Sequence, residues 1–86
     1  MTGEELYRLR KDLGDAIGQN ISFSDMARLC GLKDPERNGH DTIRKWESGE
    51  GPSGPVAVLL SVLREGLEAD PLVATFMRDM IGRLLS

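Results

Sequence analysis

The stretch ISFSDMARLCGL at residues 21–32 decides the fold, and TIRKWESG at residues 42–49 completes it after a loop. Ser22 followed three residues later by Asp25 is typical of a helix start, because both side chains satisfy backbone N–H groups that lack helical partners. Gly31 is typical of a helix end, since glycine adopts the left-handed backbone conformation there without strain. The sequence therefore predicts a short helix between these two signals.

This helix is predicted over residues 23–30, and a second helix is predicted from His40 to Ser48, after a turn-rich loop over residues 33–39. Ala27 is expected to be small because the second helix crosses closely over it. The wedge between the helices is expected to be filled by apolar side chains at helical spacing, Met26, Leu29, Ile43 and Trp46. The outer face of the second helix is then free to meet a partner.

Three more helices are predicted outward from this pair, over residues 3–17, from Gly54-Pro55 to Leu67, and over residues 71–85. The first begins with an S/T-x-x-E capping box at Thr2, and the last follows Asp70, an N-cap residue with proline after it. Their apolar residues recur at helical spacing, as in Leu6, Leu9, Leu13 and Ile17, then Val56, Leu59, Leu60, Leu63 and Leu67. Because no long segment alternates with period two, we expect one all-α domain of five helices over residues 1–86.

The composition is that of a folded globular protein, with 40% hydrophobic and 29% charged residues in a chain of 86. A chain of this length buries only about 60% of its unfolded surface, so a further stabilising contact such as dimerisation is expected. No apolar run reaches the ~18 residues that a membrane span needs, and no signal-peptide pattern is present, so a cytoplasmic location is expected. The single cysteine, Cys30, excludes an internal disulfide and is expected to be a buried apolar residue.

The charge is unevenly distributed, and the net value of −3 does not by itself favour a nucleic-acid partner. Residues 1–46 carry eight basic and eight acidic groups, whereas residues 47–86 carry three basic and six acidic groups. The acidity therefore belongs to the C-terminal half, and the basic groups of the N-terminal half are able to form a local patch. Binding of a polyanion depends on that local field rather than on the net charge.

The two helix patterns, followed by PSGPVAVLLSVL at residues 52–63, resemble the Cro/CI-type (xenobiotic-response-element type) helix-turn-helix family of transcriptional regulators. The resemblance covers residues 4–67 and implies a phage-repressor-like DNA-binding domain. Two departures are visible. The turn after Gly31 is six residues longer than is usual in the family, and the link over residues 15–20 is extended. These insertions affect the register of the first residues of the second motif helix.

The resemblance implies a sequence-specific DNA-binding regulator whose second motif helix enters the major groove. The implied base contacts are His40, Asp41, Arg44 and Lys45, because cationic side chains donate to guanine and aspartate accepts from cytosine. The implied phosphate contacts are Ser22, Phe23, Ser24, Lys33, Arg37, Asn38, Gly39 and Ser48. Simpler interpretations stay open: Asp41 interacts with the helix dipole, and His40 and the cationic pair are solvated surface.

The last predicted helix carries more apolar residues than one face of a small core needs: Leu72, Val73, Phe76, Met77, Met80, Ile81, Leu84 and Leu85. Surplus apolar surface is typical of an interface, so we predict a homodimer through this helix, alone or together with the fourth helix; the alternative is that the last helix completes the core. A two-fold dimer would place two recognition helices about 34 Å apart on a palindromic operator, which the protein represses.

The resemblance further implies a setting in a phage, a mobile element or a toxin–antitoxin locus, with repression of the protein's own operon. The alternative function is a protein-interaction module, such as an antitoxin or anti-activator, acting through the C-terminal helix; the acidic C-terminal half favours it. An enzyme is not expected, because His40 has no catalytic partner at a recognisable spacing and no glycine-rich phosphate loop is present. No metal or cofactor is predicted.

Overall fold

The computed structural model describes residues 1–85, which form five α-helices and no strand, so the predicted all-α class is confirmed. The helices are α1 (Gly3–Ile17), α2 (Phe23–Leu29), α3 (Asn38–Ser48), α4 (Gly54–Glu68) and α5 (Pro71–Leu85). The bounds of α1 and α5 are those predicted, and α4 begins at Gly54 as predicted. In contrast, α2 ends one residue earlier, and α3 begins two residues before His40. None of these helices in residues 1–85 is long and apolar enough to cross a bilayer.

The predicted helix starts are confirmed by their hydrogen bonds. The Thr2 hydroxyl accepts from the backbone N–H of Glu5 at 3.1 Å, and the Glu5 carboxylate accepts from the backbone N–H of Thr2 at 3.0 Å. Ser22 and Asp25 form the same reciprocal pair at 3.1 and 3.2 Å. At α5, the Asp70 carboxylate accepts a backbone N–H of the first turn at 2.7 Å. These short-range pairs satisfy N–H groups that a helix leaves without partners.

The end of α2 follows the expected glycine signal. Gly31 has a φ of +72°, and its N–H donates to the Arg28 carbonyl at 3.1 Å. The N–H of Leu32 reaches back to the Ala27 carbonyl at 3.0 Å, which completes a Schellman closure. The chain is thereby turned away from α2 into the loop that leads to α3.

One cluster of buried apolar side chains joins all five helices. It consists of Leu6, Leu9, Leu13, Ile21, Met26, Ala27, Cys30, Ile43, Leu60 and Ile81. Trp46 is half-buried against this cluster, as predicted. Leu59 belongs to the apolar stripe predicted for α4, but it is 48% exposed, whereas its neighbour Leu60 is buried. The reason is that α4 packs chiefly against α5, so only a narrow stripe of α4, centred on Leu60, reaches the core.

Candidate nucleic-acid interface

The position of α3 is set by a close crossing with α2. A Cβ atom placed on Gly39 would lie 2.9 Å from the Cβ of Ala27, closer than real Cβ contacts come. The predicted need for a small residue at position 27 is therefore confirmed. The residue of α3 that faces Ala27 is also small, since it is Gly39. The prediction of Gly39 as a phosphate contact is wrong, because Gly39 is buried and its N–H donates to the Asp34 carbonyl at 2.9 Å.

The start of α3 is set by the long loop before it. Asp34 adopts a φ of +50°, and its carbonyl accepts N–H groups from both Arg37 and Gly39. This closure begins the helix at Asn38. His40 and Asp41 are therefore the third and fourth residues of α3, not the first two as predicted. The loop is also held to α2, since Glu36 lies 3.2 Å from Arg28.

The other end of α3 is held by a buried ion pair. The guanidinium of Arg10 on α1 donates to both carboxylate oxygens of Glu47, at 2.6 and 3.0 Å. A third donor of Arg10 reaches the Ile21 carbonyl at 2.8 Å, and its Cζ lies 4.6 Å from the centre of the Phe23 ring. The two charged side chains are only 9% and 8% exposed. One arginine thus ties α1, the entrance to α2 and the C-terminal end of α3 together.

Sequence reasoning missed this pair, although a signal was present. Arg10 lies four residues after Leu6 and three before Leu13, and therefore on the buried stripe of α1. A buried charge is retained only when a partner of opposite charge and further hydrogen bonds satisfy it. An arginine inside an apolar stripe is thus a sequence signal for a buried acid elsewhere, here Glu47.

The outer face of α3 brings together the four predicted base-contacting side chains. Their exposures are 38% for His40, 59% for Asp41 and 62% for Arg44, and Lys45 is exposed as well. Asp41 lies 3.3 Å from the His40 ring nitrogen Nδ1 and 3.7 Å from Arg44. Asp41 also lies in the first turn of α3, where a carboxylate interacts favourably with the helix dipole. Lys45 has no carboxylate partner in residues 1–85, so it is the strongest uncompensated cation on this face.

The predicted phosphate contacts fall into two groups. Lys33, Arg37 and Asn38 are exposed around the loop, and no ion pair engages these two cations within the described chain. The serines are more constrained. The Ser22 N–H donates to Asp25, and the Ser48 hydroxyl donates to carbonyls of its own helix at 3.1 and 3.2 Å. Of the predicted phosphate contacts, the loop cations are therefore the side chains with the most freedom to meet a partner.

Phe23 and the half-buried Ser24 lie where α2 begins, beside α3. The Phe23 ring meets the His40 ring edge-on, with centroids 5.1 Å apart and an interplanar angle of 87°. Next to it, a shallow groove of about 400 Å³ separates α1 from α3 and is lined by Glu4, Tyr7, Phe23, Arg44, Glu47 and Ser48. Tyr7, which the sequence did not single out, is 46% exposed there. An aromatic surface thus adjoins the charged face of α3.

The predicted dimer residues on α5 also separate into two groups. Five large apolar side chains face away from the core, Leu72, Val73, Phe76, Met80 and Leu84. Two assignments are wrong: Ile81 is 1% exposed and belongs to the core, and Met77 packs on Gly66 of α4. Both point toward the body of the domain because they lie about 100° (Met77) and about 140° (Ile81) around the helix from Phe76.

Comparison with models of known protein families, with curated proteins and with solved structures finds no match to this chain. Within residues 1–85, no group of three or more His, Cys, Asp or Glu side chains is placed to hold a metal ion. Cys30 is buried in the core as predicted, and burial raises the pKa of its thiol to about 11.

Proposed function

We propose that the chain binds double-stranded DNA through the outer face of α3 and acts as a transcriptional regulator of the Cro/CI helix-turn-helix type. The observation that carries the proposal is the asymmetry of α3. Its inner face is fixed by Gly39, Ile43 and the Glu47 carboxylate, while its outer face presents only polar and charged side chains. A helix of 11 residues is about 16 Å long, which suits a major groove about 12 Å wide.

Each side chain on that face has a chemical role in the proposal. Arg44 and Lys45 donate to the O6 and N7 acceptors of guanine, and Asp41 accepts from the amino group of cytosine. Asp41 also orients the Arg44 guanidinium across 3.7 Å, so the pair acts as one recognition unit. Lys33 and Arg37 contact the phosphates beside the groove, which adds affinity without sequence preference.

The proposal includes a repressor that binds as a homodimer to an inverted repeat. Successive major-groove faces of B-DNA lie about 34 Å apart. One copy of the chain measures 33 × 25 × 19 Å, so two copies together are large enough to span that distance. A protein of this kind represses by occupying a promoter, and its own operon is the first target to search.

The test begins with selection of duplexes from a random-sequence pool, followed by fluorescence anisotropy at ~50 mM salt, where phosphate contacts are strongest. The double variant Arg44→Ala/Lys45→Ala is expected to weaken binding to the selected duplex by about 100-fold or more, since each guanine contact contributes about 1–3 kcal/mol. Both side chains are exposed, so the circular dichroism spectrum and melting temperature should stay unchanged.

The matched control is Arg8→Ala/Arg78→Ala, which removes the same charge from exposed arginines on α1 and α5. It is expected to change the affinity by less than about threefold. Equal losses in the two double variants would mean that binding follows net charge, and the assignment of α3 would be wrong. Failure of the wild-type chain to select or bind any duplex at ~50 mM salt would reject DNA binding altogether.

A further inference from the structure

Among the exposed side chains of α3, His40 differs from the others because contacts from two helices fix its ring. The side chain is 38% exposed. Its Nδ1 atom lies 3.3 Å from a carboxylate oxygen of Asp41, the next residue of α3. The ring also meets the Phe23 ring of α2 edge-on, with centroids 5.1 Å apart. A ring held by a hydrogen bond and by an aromatic contact rotates little, so the fold sets the direction of its second nitrogen.

The Asp41 contact determines which nitrogen of His40 carries the proton. A carboxylate only accepts hydrogen bonds, so Nδ1 donates its N–H to Asp41. A neutral imidazole has one N–H, and Nε2 is therefore left with an acceptor lone pair. No hydrogen bond engages Nε2 within residues 1–85. The outer face of α3 thus presents an unused neutral acceptor beside the donors Arg44 and Lys45.

Phe23 supplies an apolar surface next to this acceptor. Its ring is half-buried, and the Cζ atom of Arg10 lies 4.6 Å from the ring centre. Arg10 is itself fixed by its ion pair with Glu47 at 2.6 Å. A cation held against an aromatic ring stabilises the position of that ring. The shallow groove of about 400 Å³ between α1 and α3 opens on the same ring, so its exposed part is accessible to a partner.

We propose that His40 and Phe23 together recognise one A·T base pair in the major groove. Nε2 of His40 accepts a hydrogen bond from the N6 amino group of adenine, and the exposed part of the Phe23 ring contacts the 5-methyl group of thymine. In the major groove, adenine and cytosine present amino donors and only thymine presents a methyl group, so an A·T pair supplies both partners. The assignment deepens the proposed function, on which it rests, by adding an A·T pair to the contacts of Asp41, Arg44 and Lys45.

The same geometry discriminates against a G·C pair at this position. Guanine presents only the acceptors N7 and O6 in the major groove, so its edge repels the lone pair of Nε2. Cytosine satisfies Nε2 with its amino group but leaves the Phe23 ring without a methyl group. Asp41 keeps its proposed contact with a cytosine elsewhere, because a carboxylate has about four acceptor positions and only Oδ1 is the atom nearest to His40 and Arg44.

The first experiment measures the base preference at every position of the selected duplex. Each base pair is changed to the other three, and fluorescence anisotropy at ~50 mM salt and pH 8, where an imidazole is neutral, gives the affinities. One position is expected to prefer A·T by about fivefold or more. His40→Ala should reduce that preference to less than about twofold and leave the other positions unchanged. Lys45→Ala is the matched control and should relax the preference at a different position.

Two altered bases test the two contacts without any change to the protein. A purine base that lacks the 6-amino group, in place of adenine, should weaken wild-type binding by about fivefold and leave His40→Ala unaffected. Deoxyuridine in place of thymidine removes only the methyl group and should weaken wild-type binding by about fourfold. Phe23→Ala should show no such difference. This variant also loses the ring contact to Arg10, so the wild-type comparison of the two bases decides the case if the variant unfolds.

The outcomes distinguish this inference from the proposed function. Binding that depends on Arg44 and Lys45 but responds to His40→Ala at no position, or equally at every position, would overturn the inference alone. A preference for G·C at the position that responds to His40→Ala would also overturn it, because Nε2 would then be a donor. Equal affinities for thymidine and deoxyuridine would overturn the role of Phe23. Failure of the wild-type chain to bind any duplex would reject the proposed function itself.

Discussion

The outer face of α3 and the exposed side of α4 and α5 are both helix surfaces that meet solvent, but they are built in opposite ways. The exposed side of α4 and α5 carries Val58, Leu59 and Val62 together with the five exposed apolar side chains of α5. The α3 face consists of charged and polar side chains, and α3 is fixed at both ends by buried contacts at Gly39 and Glu47. The exposed side of α4 and α5 consists of large apolar side chains, and α4 packs chiefly on α5. The position of the first surface is set by buried contacts within the chain, whereas the second leaves apolar side chains in contact with water.

This difference shows how a small helical domain supports two kinds of surface. A helix with an outer polar face gains little from its own solvation, so its position must come from a few buried anchors. An apolar face needs no such anchor, because removing it from water is itself the driving force for association. The variants below act on the anchors of α3 and on the support of α4, from the largest expected effect to the smallest.

Replacing Arg10 with alanine should give the largest effect, because it leaves the Glu47 carboxylate buried without a partner. Loss of one member of a buried pair destabilises a protein by about 3–5 kcal/mol. Urea unfolding followed by circular dichroism measures the loss in the free energy of unfolding. The exposed pair Glu4–Arg8 is the control, and Arg8→Ala should lower the free energy of unfolding by less than about 1 kcal/mol. Equal effects would show that the Arg10 pair is no anchor.

Gly39→Ala should have an intermediate effect by pushing α3 away from α2. The added Cβ would meet Ala27 at 2.9 Å, and overpacking of this kind costs about 1–3 kcal/mol. Gly82→Ala on α5 is the matched control, since a Cβ there meets nothing within 4 Å and alanine favours the helix by about 1 kcal/mol. Thermal melting should therefore move in opposite directions for the two variants. A higher melting temperature for Gly39→Ala would contradict the close crossing.

The smallest expected effect concerns the link between α1 and α4, where Arg64 donates to the Glu5 carboxylate at 2.8 Å. This hydrogen bond, with those from Thr2, lowers the pKa of Glu5 from 4.5 to about 2. Because the pKa of Glu5 is lower in the folded chain than in the unfolded chain, the ionised carboxylate stabilises the fold. This contribution is complete above pH 4.5 and is lost as the pH falls toward 2. The melting temperatures of wild type and Glu5→Gln should differ above pH 5 and converge near pH 2. A difference in melting temperature that does not change with pH would contradict this role of the Glu5 carboxylate.

The sequence was sufficient wherever the determining contacts were local. The capping pairs at Thr2 and Ser22 and the left-handed Gly31 each lie within a few residues of their partners, and all three were predicted correctly. The start of α3 was not predicted correctly, because it depends on hydrogen bonds to the Asp34 carbonyl that close a long loop. A loop of unusual length carries no periodic pattern from which its exit register is readable.

The candidate site was predictable in its residues but not in its supports. Spacing alone predicted that Arg44 and Lys45 are exposed although they follow the buried Ile43 directly, and both are exposed. The buried pair of Arg10 and Glu47 joins positions 37 residues apart, and no local rule connects them. Helical periodicity likewise groups apolar residues onto one stripe without indicating what covers it. For this reason Ile81, which is buried, was assigned to the interface, and the exposure of Leu59 was not predicted.

The most direct test of DNA binding by α3 is a nuclear magnetic resonance titration of the ¹⁵N-labelled chain with a selected duplex at ~50 mM salt. Amide shift changes are predicted to concentrate in residues 33–48 and at the start of α2, and to be absent from the exposed side of α4 and α5. Changes confined to α4 and α5, or no changes at saturating duplex, would contradict the proposal that the outer face of α3 binds DNA.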